Sequence, residues 1–338
     1  MSDMRVARMN AAEIPLFLDT RPIPEPGPGE ILVKVIACGM CFTEVNELHG
    51  DYAFARFPVI PGHEVVGTVA ALGPGVDWPR VGTRVGAQFL YDSCGHCDYC
   101  VRGDQILCPW KRITGIGLDG GYAEYFVGRA GFVTPLPEGL DPVAAAPLMC
   151  AGITAFNGLR RAGVRPGSHV AVIGAGGIGA LAIRFALAMG AGVVVIGRSA
   201  DGAAQAEELG AERYVATEDR DPAEALRDWD YGADLIVNSA PSTAAAVAAS
   251  GGLAPDGTLL LLGYSPEPLV LPTQPMVLGR RHVMANPSGS PHDLRDTLAF
   301  AGAHGILPEI TPIKLDQAPE TLAAMAAGTI HRRHVITF

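Results

Sequence analysis

The 338-residue sequence has few charged and few aromatic residues, at 18% and 7% of the chain. It has no block of like charge, and its net charge of −10 argues against nucleic acid or an anionic membrane as the main partner. Because aromatic residues are scarce, we expect cores built mainly from Ala, Val, Leu and Ile. The apolar fraction of 49% is typical of a folded globular protein and not of a disordered chain.

No apolar run is long enough to predict a membrane-spanning helix. The most apolar region, 170–197, is interrupted by Arg184, whereas a span needs about 20 apolar residues in a row. The first ten residues contain no apolar run, so we expect no secretory signal. We therefore expect a soluble cytoplasmic protein without a membrane partner.

The length suggests two domains, at roughly 150 residues per domain. Residues 1–152 show short strand patterns between Gly and Pro turns, at 30–37, 65–72 and 83–87, which predicts a β-rich domain. Residues 153–288 alternate strands and helices, which predicts a doubly wound parallel sheet. Residues 289–338 end in a strand at 334–337, and we expect this segment to return to the first domain.

Seven cysteines, an odd number in a chain expected to be cytoplasmic, argue against a disulfide framework. Four of them fall within 15 residues, in a lobe at 94–108 with little apolar content: Cys94, Cys97, Cys100 and Cys108. Four thiolates at this spacing can bind one Zn²⁺ tetrahedrally, so we predict a structural zinc; iron–sulfur or redox chemistry is the alternative. His96 lies inside the lobe but is not needed as a ligand.

A second candidate metal site is dispersed along the chain. Cys41, His63 and Cys150 together would make a three-ligand zinc site with an open position, which is the catalytic pattern. Spacing alone leaves the ordinary alternative open, because buried cysteines are common core residues and a lone histidine is usually structural.

The run Gly174-Ala-Gly176-Gly177-Ile178-Gly179 predicts a dinucleotide site. It follows a strand at 170–173, opens a helix at 177–189 and precedes a second strand at 193–196, the context in which this motif is informative. The first Gly makes the turn, the second lets the backbone approach a pyrophosphate, and Gly179 allows close helix–strand packing. An ordinary glycine-rich turn is the alternative.

The residues after the second strand predict which cofactor is preferred. NAD sites place a carboxylate there to bind the ribose 2′-hydroxyl, but this sequence has Arg198 and Ser199. An arginine can pair with a 2′-phosphate and a serine can donate to it. We therefore expect NADP(H) to be preferred over NAD(H), unless Arg198 is only a solvated surface residue.

With these motifs in place, the chain resembles the zinc-containing medium-chain dehydrogenase/reductase family of the alcohol dehydrogenase type. The resemblance covers nearly all 338 residues. It is carried by the segments 26–35, 38–44, 61–67 and 174–179, the four-cysteine lobe and the terminal residues 333–338. It implies a GroES-like β-rich catalytic domain joined to a Rossmann domain.

The resemblance also implies roles for individual residues. Cys41, His63 and Cys150 would hold a catalytic zinc, and Glu64 would be a carboxylate able to ligate it transiently. Thr43 would take the substrate proton, Glu44 would orient the histidine ligand, and Arg333 would contact the cofactor pyrophosphate. Two zinc ions per subunit follow, one catalytic and one structural.

The sequence departs from the family at two positions near Cys41. Asn46 stands where many members have an imidazole that ends the proton relay, so that His49 or water would replace it. Phe42 stands where some members have His or Arg near the pyrophosphate. Six residues are expected to line an apolar substrate pocket: Thr43, Tyr52, Phe57, Leu90, Trp110 and Ile116.

The resulting hypothesis is a zinc-dependent alcohol dehydrogenase or carbonyl reductase, with a small alcohol, aldehyde or ketone as substrate. A zinc-free quinone or enoyl reductase would lack the metal ligands. A zinc reductase acting on an imine or an α,β-unsaturated bond stays open, as does a non-catalytic relative that binds zinc and nucleotide. Family members are dimers or tetramers, so we expect a homo-oligomer.

Overall fold

The computed structural model describes residues 3–330 and 332–338. The chain divides into a terminal unit, Met1–Cys150 with Gly289–Phe338, and a middle unit, Ala151–Ser288. The boundaries predicted from the sequence lie after residues 152 and 288, the first of them two residues beyond this division. Within the described ranges, no helix combines the length and apolar character needed to cross a bilayer.

The first part of the terminal unit is β-rich. Its strands are β1 (Asp3–Arg8), β2 (Phe17–Pro22), β3 (Glu30–Gly39), β4 (Glu64–Leu72), β5 (Arg84–Ala87), β6 (Leu90–Asp92), β7 (Arg112–Ile113), β8 (Tyr125–Arg129) and β9 (Val133–Pro135). Its helices are α1 (Phe42–Leu48) and α2 (Asp98–Val101). Strand β3 is buried along most of its length because β4 and β8 both pair with it, antiparallel.

The middle unit is a parallel sheet with strand order β12-β11-β10-β13-β14-β15. The strands are β10 (His169–Ile173), β11 (Gly192–Gly197), β12 (Arg213–Ala216), β13 (Ala233–Asn238), β14 (Leu253–Leu261) and β15 (His282–Ala285). The helices are α3 (Ala151–Arg161), α4 (Gly177–Ala188), α5 (Ala203–Glu208), α6 (Pro222–Arg227), α7 (Thr243–Ser250) and α8 (Thr273–Leu278). The order 3-2-1-4-5-6 is the doubly wound arrangement that binds dinucleotides where the order reverses, at β10.

The C-terminal segment rejoins the terminal unit. It contains α9 (Pro291–His304), β16 (Ile310–Lys314), α10 (Ala318–Ala326) and β17 (Arg333–Thr337). Strand β17 pairs parallel with β16 and antiparallel with β3. Among the described residues this builds a seven-stranded sheet, β16-β17-β3-β4-β5-β9 with β8 beside β3. Its core includes Val33, Val65, Tyr122 and Ile336, and the pairing brings Arg333 next to the start of β4.

Candidate active site

One carboxylate holds both Cys41 and His63. Cys41 is the N-cap of α1, and its backbone N–H donates to Glu44 Oε2 at 2.7 Å. The other oxygen, Glu44 Oε1, lies 2.7 Å from His63 Nδ1, and both side chains are 1% exposed. Glu44 therefore orients the imidazole with Nδ1 toward the carboxylate, which leaves Nε2 free to bind a metal.

Glu64 and Arg333 form a buried ion pair beside this group. Glu64 begins β4, and its Oε1 accepts from the Arg333 guanidinium in β17, 269 residues away in sequence. Burial raises the pKa of Glu64 to about 8, and Arg333 opposes part of that rise. Gly39 is required here, because a Cβ at that position would collide with Glu64 Oε2. The structure thus places Arg333 near the candidate metal ligands; its contact with a cofactor stays a prediction.

The candidate ligand atoms converge. One donor atom from each of Cys41, His63, Glu64 and Cys150 lies within 4.8 Å of the others. His63 Nε2 and Glu64 Oε2 are buried and have no hydrogen-bond partner among the described residues, as expected of atoms that serve a metal ion. Two sulfurs, an imidazole and a carboxylate are donors that Zn²⁺ accepts. The residues therefore fit the metal that the sequence predicts.

The charges in this cluster favour metal ligation. The Cys150 thiol donates to the Cys41 sulfur and lowers the pKa of Cys41, although burial opposes the shift and His63 adds to it. Burial would lower the pKa of His63, but the Glu44 carboxylate and the Cys41 sulfur outweigh it and raise that pKa. Cys41 is thus ready to act as a thiolate, which is the form that binds zinc.

Thr43 lies beside the ligand cluster, and a tyrosine lies beside Thr43. Thr43 Oγ1 accepts from Cys41 Sγ at 3.5 Å. The Tyr52 hydroxyl lies near Thr43 and accepts from Asn46 Nδ2 at 3.4 Å. His49 is the exposed C-cap of α1. Tyr52, which the sequence predicts to line the substrate pocket, is therefore near Thr43, whereas His49 is exposed to solvent.

The four-cysteine lobe forms a compact cluster of sulfurs. Cys100 Sγ lies 3.5 Å from Cys97 Sγ and 3.9 Å from Cys94 Sγ, and with Cys108 all four sulfurs lie within 4.8 Å of one another. Sulfurs each about 2.3 Å from a central zinc would be about 3.8 Å apart. All four thiols are free. The cluster therefore fits a tetrahedral zinc, with the His96 ring outside it, stacked on Trp110.

The glycine-rich turn leaves space for an anion. Gly174 follows β10 with φ of +82°, which favours glycine. A Cβ on Gly179 would collide with Gly174 O, whereas one on Gly176, the N-cap of α4, would meet no atom within 4 Å. The first turn of α4, from Gly177 through Ile178, presents N–H groups without intrahelical partners. A cofactor pyrophosphate fits this helix start.

The loop after β11 carries charges of both signs. Arg198 and Ser199 directly follow the strand, as the sequence predicts. Ser199 Oγ donates to Asp201 Oδ2 at 3.0 Å, within a short 3₁₀ turn at Ala200–Gly202. Asp201 was not predicted from the sequence, although its position four residues past the strand was an available signal.

The residues expected in the substrate pocket differ in their exposure and in what they contact. Thr43 and Tyr52 lie by the ligand cluster. Leu90 and Ile116 are buried, and Phe57 packs against the core of the terminal unit. Trp110 is 63% exposed and stacks on His96 in the cysteine lobe. A pocket role for these last four stays a prediction.

Known proteins match the chain over almost its whole length. Residues 27–138 match the family model of the alcohol dehydrogenase GroES-like domain, and residues 177–303 match that of the zinc-binding dehydrogenase. An alcohol dehydrogenase of Geobacillus stearothermophilus is 36% identical over 334 residues, which cover 98% of each chain.

Solved structures agree with these matches. A cinnamyl alcohol dehydrogenase from Sorghum bicolor has a TM-score of 0.91 and 30% identity, covering 99% of this chain and 98% of its own. A structure described as a zinc-binding dehydrogenase from Sinorhizobium meliloti 1021, bound to NADP, has a TM-score of 0.91 and 30% identity over all of both chains. The family resemblance and the fold class are thus confirmed: the chain belongs to the zinc-containing medium-chain dehydrogenase/reductase family of oxidoreductases, with a GroES-like β-rich domain and a Rossmann domain.

Proposed function

We propose that this protein is a zinc-dependent alcohol dehydrogenase or carbonyl reductase that uses NADP(H). The observation that carries the proposal is the convergence of Cys41, His63, Glu64 and Cys150 around the unpartnered Nε2 of His63. The names of the Geobacillus and Sorghum relatives support an alcohol, or the matching aldehyde or ketone, as the substrate. The four lobe cysteines would hold a second, structural zinc.

The chain's own residues would position the reactants and handle the proton. When bound, zinc would supply Lewis-acid polarisation of the substrate oxygen, and the nicotinamide would supply the carbon that exchanges the hydride. Glu44 keeps the His63 ring oriented. The Thr43 hydroxyl would accept the proton that leaves an alcohol and release its own proton toward the cofactor ribose and solvent. The Tyr52 hydroxyl nearby, whose pKa burial raises to about 12, would stay protonated.

A paired measurement on the purified protein tests this function. We expect two zinc ions per subunit by elemental analysis. We also expect turnover of a panel of alcohols and aldehydes that is faster with NADP(H) than with NAD(H). A single, chelation-resistant zinc together with no turnover of any member of the panel would contradict the proposal.

The cofactor preference predicts the effect of removing one cation. Arg198→Ala should raise the Kd of NADPH by roughly 10- to 150-fold, because a hydrogen bond to a charged group is worth about 1.5–3 kcal/mol. The Kd of NADH should barely change. Titration of cofactor fluorescence measures both, with Arg165→Ala, an exposed arginine of the same unit, as the matched control. An equal loss for both cofactors would refute the assignment.

A homo-oligomer is proposed from the exposed edge of the parallel sheet. In the described part of the chain, β15 pairs only with β14, and α8 next to it buries none of its residues. Four exposed apolar side chains cluster between residues 270 and 283: Val270, Val277, Leu278 and Val283. An open edge flanked by apolar surface is suited to pair with a second copy.

Light scattering during size-exclusion chromatography tests this interface. Val277→Lys should yield a smaller assembly than the wild type, because it places a charge in a surface that must be desolvated. Val81→Lys, at a valine of similar exposure in the terminal unit (60% against 76%), should not. If the mass of the Val277→Lys assembly is unchanged, α8 and β15 are not part of the interface.

A further inference from the structure

The loop at 197–202, which begins at the last residue of β11, packs against the side chain of Tyr214. Tyr214 lies in β12, paired with Val195 of β11. Its hydroxyl donates to Ser199 O at 2.7 Å. A Cβ on Gly197 would collide with the hydroxyl, and one on Gly202 would lie 2.5 Å from it. The phenol therefore occupies the space that both glycines leave open, at each end of the loop.

The neighbouring contacts hold the rest of the loop. The Glu218 backbone N–H donates to Arg198 O at 3.1 Å, so that successive carbonyls, of Arg198 and Ser199, are each tied to groups at or beyond β12. Burial raises the pKa of Tyr214, and Asp201 adds to the rise, so the phenol remains protonated and able to donate at neutral pH.

We propose that Tyr214 is a positioning residue for recognition of the 2′ substituent on the cofactor's adenosine ribose. The inference rests on the proposed function, in which the loop after β11 meets that ribose. By holding the Ser199 carbonyl, Tyr214 fixes the directions in which Arg198 and the Ser199 hydroxyl point. Releasing the loop lets both side chains move away from those directions. Discrimination between a 2′-phosphate and a 2′-hydroxyl then falls.

Calorimetric titration of the full-length protein with 2′,5′-ADP and with 5′-AMP tests the proposal without any need for turnover. Tyr214→Phe keeps the ring and removes the hydroxyl, and it should bring the ratio of the two Kd values closer to one by about threefold to tenfold. Tyr231→Phe, at a tyrosine that is 86% exposed in the same unit, is the matched control and should leave the ratio unchanged.

A second variant acts on the same contact from the loop side. Gly202→Ala should also reduce the ratio, because its Cβ would push against the Tyr214 hydroxyl. Adding it to Tyr214→Phe should cost less than the sum of the two single effects, since both release one contact. Additive losses would contradict a shared mechanism.

The outcomes separate this inference from the cofactor preference. If the wild type discriminates and Tyr214→Phe leaves the ratio unchanged, or weakens both ligands equally, the positioning role is refuted and the preference stands. If the wild type binds both ligands alike and Tyr214→Phe still moves the ratio, the positioning role is supported and the proposed preference is wrong.

Discussion

Replacing Cys150 with alanine is expected to leave one zinc ion per subunit and to lower turnover by about 10³-fold or more. The variant removes one of the two sulfurs among the converging donor atoms. It also removes the thiol that contributes most to lowering the pKa of Cys41. Lewis-acid polarisation is worth several kcal/mol, and each ~1.4 kcal/mol is tenfold in rate. Elemental analysis and steady-state rates measure the two losses.

Cys38→Ala is the matched control. Cys38 is also a buried free thiol of the terminal unit, but it lies outside the converging donor atoms. Burial raises the pKa of its thiol, which therefore stays protonated within the core. This variant should keep two zinc ions and most of the turnover. If Cys150→Ala keeps both zinc ions and full turnover, or if Cys38→Ala loses a zinc ion, the ligand assignment is wrong.

The features that the sequence predicts best are local ones. The lobe cysteines fall within 15 residues, and the glycine run lies between two apolar strands, so chain connectivity alone brings these groups together. Even for local features, the predicted ends of strands differ from those in the structure. The run from Thr258 to Leu262 predicts a strand, but β14 begins at Leu253, because Ala233 pairs with Leu253 before an irregularity in the β13–β14 register.

The features that the sequence misses depend on tertiary contacts. The Glu64–Arg333 ion pair joins residues 269 positions apart, and only the pairing of β17 with β3 brings them together. Tyr52 lies near Thr43 although the residues between them show no periodic pattern. In the sequence, Tyr214 is an ordinary strand residue, and only the structure shows that its hydroxyl donates to Ser199 O. Each is a side-chain approach between segments whose local sequences carry no sign of one another.

Removal of the structural zinc is expected to destabilise the four-cysteine lobe with little effect on turnover. The regular structure of the lobe is limited to the four-residue helix α2 and a short 3₁₀ helix at Gln105–Leu107, and Val101 is exposed. Apolar burial is too small to hold such a segment, whereas structural zinc contributes about 10–16 kcal/mol in small zinc-dependent peptides. Cys100→Ala should therefore release this zinc and unfold residues 94–108. Trypsin should then cleave after Arg102 or Lys111 at least about tenfold faster than in the wild type.

His96→Ala separates loss of the metal from a general disturbance of the lobe. His96 lies in the same segment, contacts Cys94 O at 2.9 Å and stacks on Trp110, but its ring is not among the clustered donor atoms. The His96→Ala variant should keep two zinc ions and resist cleavage by trypsin. Cys100→Ala should keep its catalytic zinc and most of its turnover at low temperature. Cys150→Ala should instead lose its catalytic zinc and its turnover, although both of these variants retain one zinc per subunit. If His96→Ala loses zinc, or Cys100→Ala keeps two zinc ions and resists trypsin, four-sulfur ligation is refuted. If Cys100→Ala and Cys150→Ala each retain one zinc ion but only Cys100→Ala keeps its turnover, the two zinc sites have different functions.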